Sequence, residues 1–379
     1  ESRSSMMNTM SGQSEHSNDR SEFENPVTLA DIARVTGFSQ MTVSNALRDK
    51  PKVSAKNRAR IKQVAQEMGY QANVAATILR NNRSGIIQVV VDDFEVPFHA
   101  RIAKYLAQAA TGYGYQLLVR QSSSLEREEV RALKSTPGLL YDGIILDAPN
   151  ITEQQVLEHV QSKPVLVIGD CASFIRINSM DTACVQGSAM AVEHLWQQGC
   201  RTFRVLGAAH PSLQSLRHGS GNGFAPRRMA AIDEALQRHG VELAASQCVD
   251  CERTLQGGHD AAQRMLADPS WAADVSAAGA PGIGILCLSD TIALGALRAL
   301  ADHDVPVPAT AKIMGFDGIP MSAYANPSIS TVEMDVPAMA QTVILRMLSM
   351  IEARNHHEPL PPVAHDNIPF RLIPRGSTR

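Results

Sequence analysis

The feature that most constrains the fold is an alternation of short β-branched runs with amphipathic stretches, which begins near Ile86. Runs such as IIQVVV, YQLLV, GIILD, PVLVIGD, FRVLGA, GIGILCLSD and KIMGFDG are separated by segments of helical periodicity, for example RIAKYLAQAATGYG and IALGALRALADH. This alternation predicts α/β architecture, with parallel sheets covered by helices. Because the runs outnumber the strands that one sheet comfortably holds, we expect two doubly wound parallel-sheet lobes within residues 85–379.

The chain before this region has a different pattern. Residues 1–25 are rich in serine and asparagine with almost nothing to bury, and this composition predicts a disordered tail. Residues 26–72 predict three short helices. Gly37 ends the first helix, and Ser39 and Ser54 are N-caps for the second and third.

The second of these helices, QMTVSNALR, has two different faces. Its pattern buries Val43, Ala46 and Leu47 and leaves Gln40, Met41, Ser44, Asn45 and Arg48 on the other side. A helix, a turn containing glycine and a second helix with short polar side chains outside are typical of a helix-turn-helix. In that motif the second helix enters the major groove of DNA.

Charge is distributed unevenly along the chain. From Pro26 to Ser84 there are ten lysines and arginines against three acidic residues, so this segment carries +7. Since the whole chain has a net charge of -3, the remainder carries -10. A small basic module joined to a larger acidic one is expected when only one part meets a polyanion. Charge alone would equally fit a solvated surface.

The N-terminal segment then resembles a known family. The stretch VTLADIARVTGFSQMTVSNALRDKPKVSAKNRARIKQVAQEMGYQANVAATILR is similar to the DNA-binding headpiece of the lactose-repressor/galactose-repressor (LacI/GalR) family. The similarity includes the family's TL-x-D-I/V-A, G-x-S-x-x-TVS, VS-x-x-T/N-R and GY-x-x-N blocks, in order and at matching spacing.

The resemblance implies roles in DNA contact for individual residues. Those assigned to the DNA backbone around the first two helices are Thr28, Leu29, Ser39, Thr42 and Ser44. Gln40, Met41 and Asn45 occupy the positions at which the family varies its base-reading side chains. Further positions implied to contact DNA are Lys52, Ser54, Asn57, Tyr70, Asn73, Ala76 and Leu79.

Asn45 departs from the pattern because many relatives carry arginine there, which reads guanine, whereas asparagine prefers adenine. A lactose-type operator is therefore not assumed.

Residues 73–84 resemble the family's hinge helix and linker. Leu79 stands where two subunits insert a leucine into the minor groove and bend the duplex. The alternative is an interdomain linker in which this leucine packs on the next domain.

Residues 85–379 resemble the family's effector-binding and dimerisation domain, which shares its fold with periplasmic sugar-binding proteins. In such folds, ligands lie at the carboxyl ends of the strands. The resemblance implies that Phe98 stacks on the ligand, that Arg228 grips a hydroxyl or carboxylate, and that Asp317 accepts hydrogen bonds from ligand hydroxyls. The structural alternatives to ligand contact are that Phe98 packs in the core and that Asp290 is a helix N-cap. The full set of expected effector contacts is Asp92, Phe98, Asp147, Asp170, Arg228, Arg253, Ser289, Asp290, Phe316 and Asp317.

Two of these positions differ from the family pattern. Ser289 replaces the usual asparagine, and Arg253 stands where many relatives have an aromatic residue that stacks on a sugar ring. If Arg253 lines the cleft opposite Arg228, the site favours an anion such as a sugar acid or sugar phosphate. If Arg253 points to solvent, as surface arginines do, a neutral sugar is expected.

Other motifs give no support for an enzyme. Cys248 and Cys251 have the spacing of half a zinc site, without a second pair at a matching distance. Gly282 and Gly284 lack the third glycine of a dinucleotide fingerprint, and no phosphate-binding loop or nucleophile elbow is present. We therefore expect no catalytic site, no metal and no cofactor.

Together these patterns predict a DNA-binding transcriptional regulator, most simply a repressor controlled by a small carbohydrate-like effector, with a sugar acid such as gluconate or a sugar phosphate among the candidates. The expected partners are a pseudo-palindromic double-stranded operator, the effector and a second copy of the chain. A purine-type corepressor or an activator remains an alternative, as does a periplasmic-type sugar-binding protein. The sequence contains no run of eighteen apolar residues and no apolar N-terminal stretch. We therefore expect a cytoplasmic protein that does not enter membranes.

Overall fold

The computed structural model describes residues 27–70, 83–123, 125–134, 141–147, 150–160, 163–169, 174–210, 224–278 and 282–379. The chain divides into two compact units, Glu1–Asn82 and Arg83–Arg379. The expected tail, most of the expected hinge and four expected contact residues lie outside the described residues. These four are Asn73, Ala76, Leu79 and Asp170.

The first unit, the headpiece, contains the three predicted helices: α1 (Leu29–Thr36), α2 (Gln40–Leu47) and α3 (Ala55–Glu67). Thr28 and Asp31 form a reciprocal capping box at the start of α1, and Gly37 ends the helix at φ 74°, where a side chain would be strained. Ser39 and Ser54 cap α2 and α3, as predicted. The helices enclose a small core of Ile32, Val43, Ala46, Val53, Ile61 and Ala65.

The second unit contains two six-stranded sheets, which confirms the prediction of two parallel-sheet lobes. In lobe 1 the strand order is β11-β5-β4-β3-β1-β2, and all pairs are parallel. Its strands are β1 (Ile86–Val91), β2 (Gln116–Gln121), β3 (Gly143–Asp147), β4 (Val165–Gly169), β5 (Asn178–Asp181) and β11 (His365–Asn367).

In lobe 2 the order is β12-β10-β9-β8-β6-β7, and among the described strand pairs of this sheet only β10–β12 is antiparallel. Its strands are β6 (Phe203–Leu206), β7 (Cys248–Val249), β8 (Ile283–Cys287), β9 (Ala311–Asp317), β10 (Ser330–Met334) and β12 (Phe370–Ile373).

Helices cover both sheets. In chain order they are α4 (Pro97–Thr111), α5 (Glu126–Leu133), α6 (Glu153–His159), α7 (Cys184–Gln197), α8 (Phe224–Gln237), α9 (Leu255–Ala267), α10 (Ser270–Ala278), α11 (Asp290–Asp302) and α12 (Val336–His356). The central strands are buried along most of their length, as parallel sheets covered on both faces require, whereas the edge strands β2, β7, β11 and β12 are only partly buried.

The chain passes between the lobes three times: after β5, between β10 and β11, and between β11 and β12. Residues at the strand ends of both lobes also meet, since Arg253 of lobe 2 lies 3.1 Å from His99 of lobe 1, and a ligand binds at such strand ends in sheets of this kind. None of the described helices is long and apolar enough to cross a membrane.

Candidate functional site

The outer face of α2 presents polar and flexible side chains. Gln40 is exposed, Met41 is 76% exposed, and Ser44 and Asn45 are half-buried. Ser39 Oγ accepts the Thr42 backbone N–H at 3.2 Å and lies 2.9 Å from Thr42 Oγ1. The helix start is therefore fixed by its own cap, which leaves the outer face available for another molecule.

Several expected DNA-contact residues also have structural contacts within the headpiece. Leu29 and Tyr70 pack against its core. Thr28 belongs to the α1 capping box, and Ser54 Oγ accepts the Asn57 backbone N–H at 3.4 Å. Lys52 is exposed beside them. These contacts order the residues and are compatible with DNA contact, which remains a prediction for each of them.

Arg58 has a structural role that the sequence did not indicate. Its guanidinium donates to the carbonyls of Lys50 and Val53 at 3.0 and 3.1 Å. Lys62 pairs with Asp49 at 2.7 Å. Both cations stabilise the loop between α2 and α3.

In the second unit, Arg228 and Asp317 form a buried ion pair at the carboxyl end of β9. Arg228 on α8 lies 3.2 Å from Asp317 Oδ1, and both side chains are 3% exposed. The guanidinium also donates to the Leu288 carbonyl and lies 3.7 Å above the Phe316 ring. Phe316 is held close because Gly187 on α7 leaves room for its ring: a Cβ there would lie 2.7 Å from Phe316 Cζ.

Asp317 itself has an unusual backbone. Its φ is 103°, a region that residues with a side chain rarely adopt, and Gly318 follows at φ 68°. Strain of this kind persists where surrounding contacts impose it, and it is concentrated at functional sites. The turn after β9 thereby directs a buried carboxylate to the strand ends.

Arg253 lies inside the cleft, so the alternative that it points to solvent is wrong. Its side chain is 14% exposed, with Nη2 3.1 Å from His99 Nε2 and 3.6 Å from Asp92 Oδ2. Arg228 and Asp317 are close enough to act electrostatically on Arg253. Arg253 and Asp92 therefore belong to the same charged cluster as Arg228 and Asp317.

His99 is a member of this cluster that sequence reasoning missed. Its ring is 1% exposed, and Nε2 lies 3.6 Å from Asp147 Oδ2. Nδ1 lies 3.1 Å from the Asp93 carbonyl. The available signal was its position beside Phe98 at the first turn of α4, directly after the end of β1.

Asp147 ends β3 and is almost completely buried, with its side chain 2% exposed. Its Oδ2 atom has no hydrogen-bond partner among the described residues. Burial raises the pKa of this carboxyl above its ordinary value, and nearby His99 and Arg253 oppose the shift. A buried acceptor without a donor is costly, and it is expected where a ligand supplies the missing group.

Three further expected contacts have structural roles. Phe98 is 5% exposed and belongs to the main core cluster. Ser289, not Asp290, is the N-cap of α11: its side chain accepts the Ile292 backbone N–H. Asp290 Oδ2 accepts the Ile319 backbone N–H at 2.8 Å, and burial raises its pKa to about 8. Effector contact remains a prediction for all three.

Two more arginines join the lobes around the cleft. Arg101 on α4 donates to the Gly318 carbonyl at 2.7 Å, and Arg227 on α8 pairs with Asp181 at 2.8 Å. Together with the contact from Arg253 to His99, these bonds make the relative position of the lobes depend on groups that lie at the cleft.

Comparison with known proteins identifies both parts of the chain. Residues 28–73 match the family "Bacterial regulatory proteins, lacI family", and residues 192–378 match the periplasmic binding protein-like domain. The chain belongs to the lacI family of bacterial regulatory proteins. This is a family of transcription regulators and not of enzymes, which confirms the resemblance inferred from the sequence.

Full-length relatives agree with this assignment. The repressor CytR of Escherichia coli K12 is 25% identical, over 94% of this chain and 97% of its own. Catabolite control protein A of Priestia megaterium is 24% identical, over 85% and 93%. Among solved structures, the lac repressor dimer bound to operator and the anti-inducer ONPF has a TM-score of 0.76 at 23% identity. That match covers 93% of this chain and 99% of that chain, and it shows the shared fold. As a lacI-family protein, the chain is a DNA-binding transcriptional repressor regulated by a small-molecule effector.

Proposed function

We propose that this repressor binds a pseudo-palindromic operator as a homodimer and changes its operator affinity when a carbohydrate-like effector enters the cleft between the lobes. The observation that carries the proposal is the buried cluster of Arg228, Arg253, His99, Asp147 and Asp317. Burying charge is costly unless the groups are paired and hydrogen-bonded, and clusters of buried ionisable groups in a cleft are typical of functional sites.

The headpiece provides the DNA contacts in this proposal. Gln40, Met41 and Asn45 read base edges from α2, as their exposure and position on its outer face permit. The backbone contacts are expected from Thr28, Leu29, Ser39, Thr42, Ser44, Lys52, Ser54, Asn57 and Tyr70. The wedge role of Leu79 remains a prediction for a segment outside the described residues.

Asn45→Ala is expected to weaken operator binding by about 1 to 3 kcal/mol while leaving non-specific binding almost unchanged. The reason is that asparagine discriminates between bases through its amide, whereas phosphate contacts do not depend on sequence. Fluorescence anisotropy with an operator duplex and a scrambled duplex measures both affinities. Lys52→Ala is the matched control, since loss of a phosphate contact weakens both duplexes alike. A uniform loss for Asn45→Ala would contradict base reading.

The effector is expected to be rich in hydroxyl groups. Asp317, Asp147 and Asp92 can accept hydrogen bonds from hydroxyls, and Arg228 and Arg253 can donate to them, which suits a sugar-like molecule. A sugar acid or sugar phosphate is a second candidate, favoured by the inward position of Arg253. Against it, each guanidinium already has a carboxylate beside it, at 3.2 Å for Arg228 and 3.6 Å for Arg253.

Arg253→Ala separates these two candidates. If the effector is anionic, gluconate or glucose 6-phosphate binds wild type more tightly than glucose, and the variant loses about 1.5 to 3 kcal/mol for the anion alone, the value of a charged hydrogen bond. Titration calorimetry measures this, with Arg298→Ala, an exposed arginine on α11, as the matched control. If the variant binds the anion as tightly as wild type does, the anionic candidate is wrong and the repressor assignment is unaffected.

A further inference from the structure

The charged groups of the cleft can be paired one by one. Arg228 pairs with Asp317 at 3.2 Å, and Arg253 pairs with Asp92 at 3.6 Å. Among the described carboxyl groups here, Asp290 and Asp147 have no guanidinium partner. Asp290 Oδ2 accepts the Ile319 backbone N–H at 2.8 Å, whereas Asp147 Oδ2 has no hydrogen-bond partner in the part of the chain that the structure describes. The nearest ionisable neighbour of Asp147 in the described part of the cleft is His99, at 3.6 Å from Nε2 to Oδ2.

His99 is a poor partner for Asp147 because of its other contacts. Arg253 Nη2 lies 3.1 Å from His99 Nε2. On the other side of the ring, the Asp93 backbone N–H donates to Nδ1 at 3.2 Å, and Nδ1 also lies 3.1 Å from the Asp93 carbonyl. The 3.6 Å between Nε2 and Asp147 Oδ2 is longer than a hydrogen bond, so His99 leaves this oxygen unsatisfied.

Asp147 is almost fully buried, and its Oδ2 atom has no hydrogen-bond partner among the described residues. We propose that the effector places a protonated amine against Asp147 Oδ2, and that the ligand class is an amino sugar or a related polyhydroxylated amine. This inference rests on the proposed function of the cleft as the effector site.

A ligand amine matches the charges of the cleft better than a ligand hydroxyl does. Among the described residues, the three carboxylates of Asp92, Asp147 and Asp317 face the two guanidiniums of Arg228 and Arg253, so one positive charge is missing. An ammonium group supplies that charge and three donors, and a buried carboxylate is stabilised only when it is paired and hydrogen-bonded. A phosphate or carboxylate elsewhere on the same molecule could still contact Arg253.

A matched set of four sugars tests this class. Glucose, glucosamine, glucose 6-phosphate and glucosamine 6-phosphate vary the amine and the phosphate independently. For wild type, titration calorimetry is expected to give a Kd at least tenfold lower for an amine-bearing sugar than for its hydroxyl counterpart. Asp147→Asn is expected to abolish this difference, whereas Asp304→Asn, an exposed control, retains it.

The inference is overturned if neither amine-bearing sugar binds more tightly than its hydroxyl counterpart, and the absence of any binding counts as this outcome. It is also overturned if Asp147→Asn still binds the amine-bearing sugar more tightly. Operator affinity measured with the same sugars separates this failure from failure of the proposed function. If a hydroxyl sugar or sugar acid binds and changes operator affinity without an amine preference, only the amine assignment fails. An amine that binds in the cleft and leaves operator affinity unchanged contradicts the effector function.

A second test needs no ligand. Asp92, His99, Arg253 and Asp317 act electrostatically on Asp147, and burial raises its pKa. A carboxyl with a raised pKa in the folded state destabilises the protein as pH rises above the unfolded value. Asp147→Asn is therefore expected to raise the melting temperature at pH 7.5, and the gain should shrink towards pH 4. A variant that melts at or below wild type at pH 7.5 would show that Asp147 is already compensated, and the inference would fail.

Discussion

Replacing Arg228 with alanine is expected to destabilise the second unit by about 3 to 5 kcal/mol, the usual effect of breaking a buried ion pair by removing one partner. Arg228 and Asp317 are each 3% exposed, so the carboxylate would be left in the core without its counter-ion. The substitution also removes the donor to the Leu288 carbonyl and the group that covers the Phe316 ring. Effector binding should be lost together with stability.

Chemical unfolding monitored by circular dichroism measures this effect, and a double variant identifies its cause. Arg228→Ala combined with Asp317→Ala should be less destabilised than the sum of the single variants, because neither charge is then left unpaired. Arg298→Ala, an exposed control on α11, should remain within about 0.5 kcal/mol of wild type. Strictly additive losses would mean that the two side chains do not act as a pair.

Asp290→Asn is expected to remove a large pH dependence of stability. Burial raises the pKa of Asp290 to about 8. As pH rises above the unfolded value, the unfolded chain loses the proton and the folded chain retains it, so stability falls by about 1.4 kcal/mol per pH unit until the folded pKa is reached. Asparagine can still accept the Ile319 backbone N–H through its amide oxygen, without titrating.

The measurement is the free energy of unfolding of wild type and variant between pH 4 and 8. The difference between the two proteins isolates Asp290, because the other titrating groups are common to both. The variant should gain stability relative to wild type as pH rises, and Asp304→Asn should follow wild type. A constant difference across this range would show that Asp290 keeps an ordinary pKa in the folded protein.

Local chemistry made the headpiece predictable from its sequence. Thr28, Gly37, Ser39 and Ser54 act on backbone groups within a few residues of themselves, and all four occupy the caps that their residue types predict. The hydrophobic strands β1, β3, β4, β8 and β9 were equally clear, because short runs of mostly apolar residues are typical of strands buried on both faces.

The elements that were missed depend on distant partners. β5 has the polar sequence NSMD, and β7 contains only two residues. Their pairing with β4 and β6 defines them as strands, and no period within so short a segment can indicate it.

The candidate site shows the same difference between features that depend on local sequence and features that depend on distant partners. The positions of Asp92, Asp147 and Asp317 at strand ends could be read from the sequence, because the carboxyl ends of parallel strands meet at one edge, and their contact with an effector remains a prediction. His99 was missed, and the position of Arg253 was left open, since the bond between them joins residues 154 positions apart in the chain. Ser289 and Asp290 were ambiguous because a helix cap and a ligand contact use the same kinds of polar side chain.

The central claim is that this chain is a sequence-specific repressor, and its most direct test is the ratio of specific to non-specific DNA affinity. A duplex selected from random sequence by the full chain would be compared with a scrambled duplex by fluorescence anisotropy at fixed salt. We expect a pseudo-palindromic selected site, bound more tightly than the scrambled one by a factor of about a thousand or more. Equal affinity for the two duplexes, with the same dependence on salt, would contradict this claim.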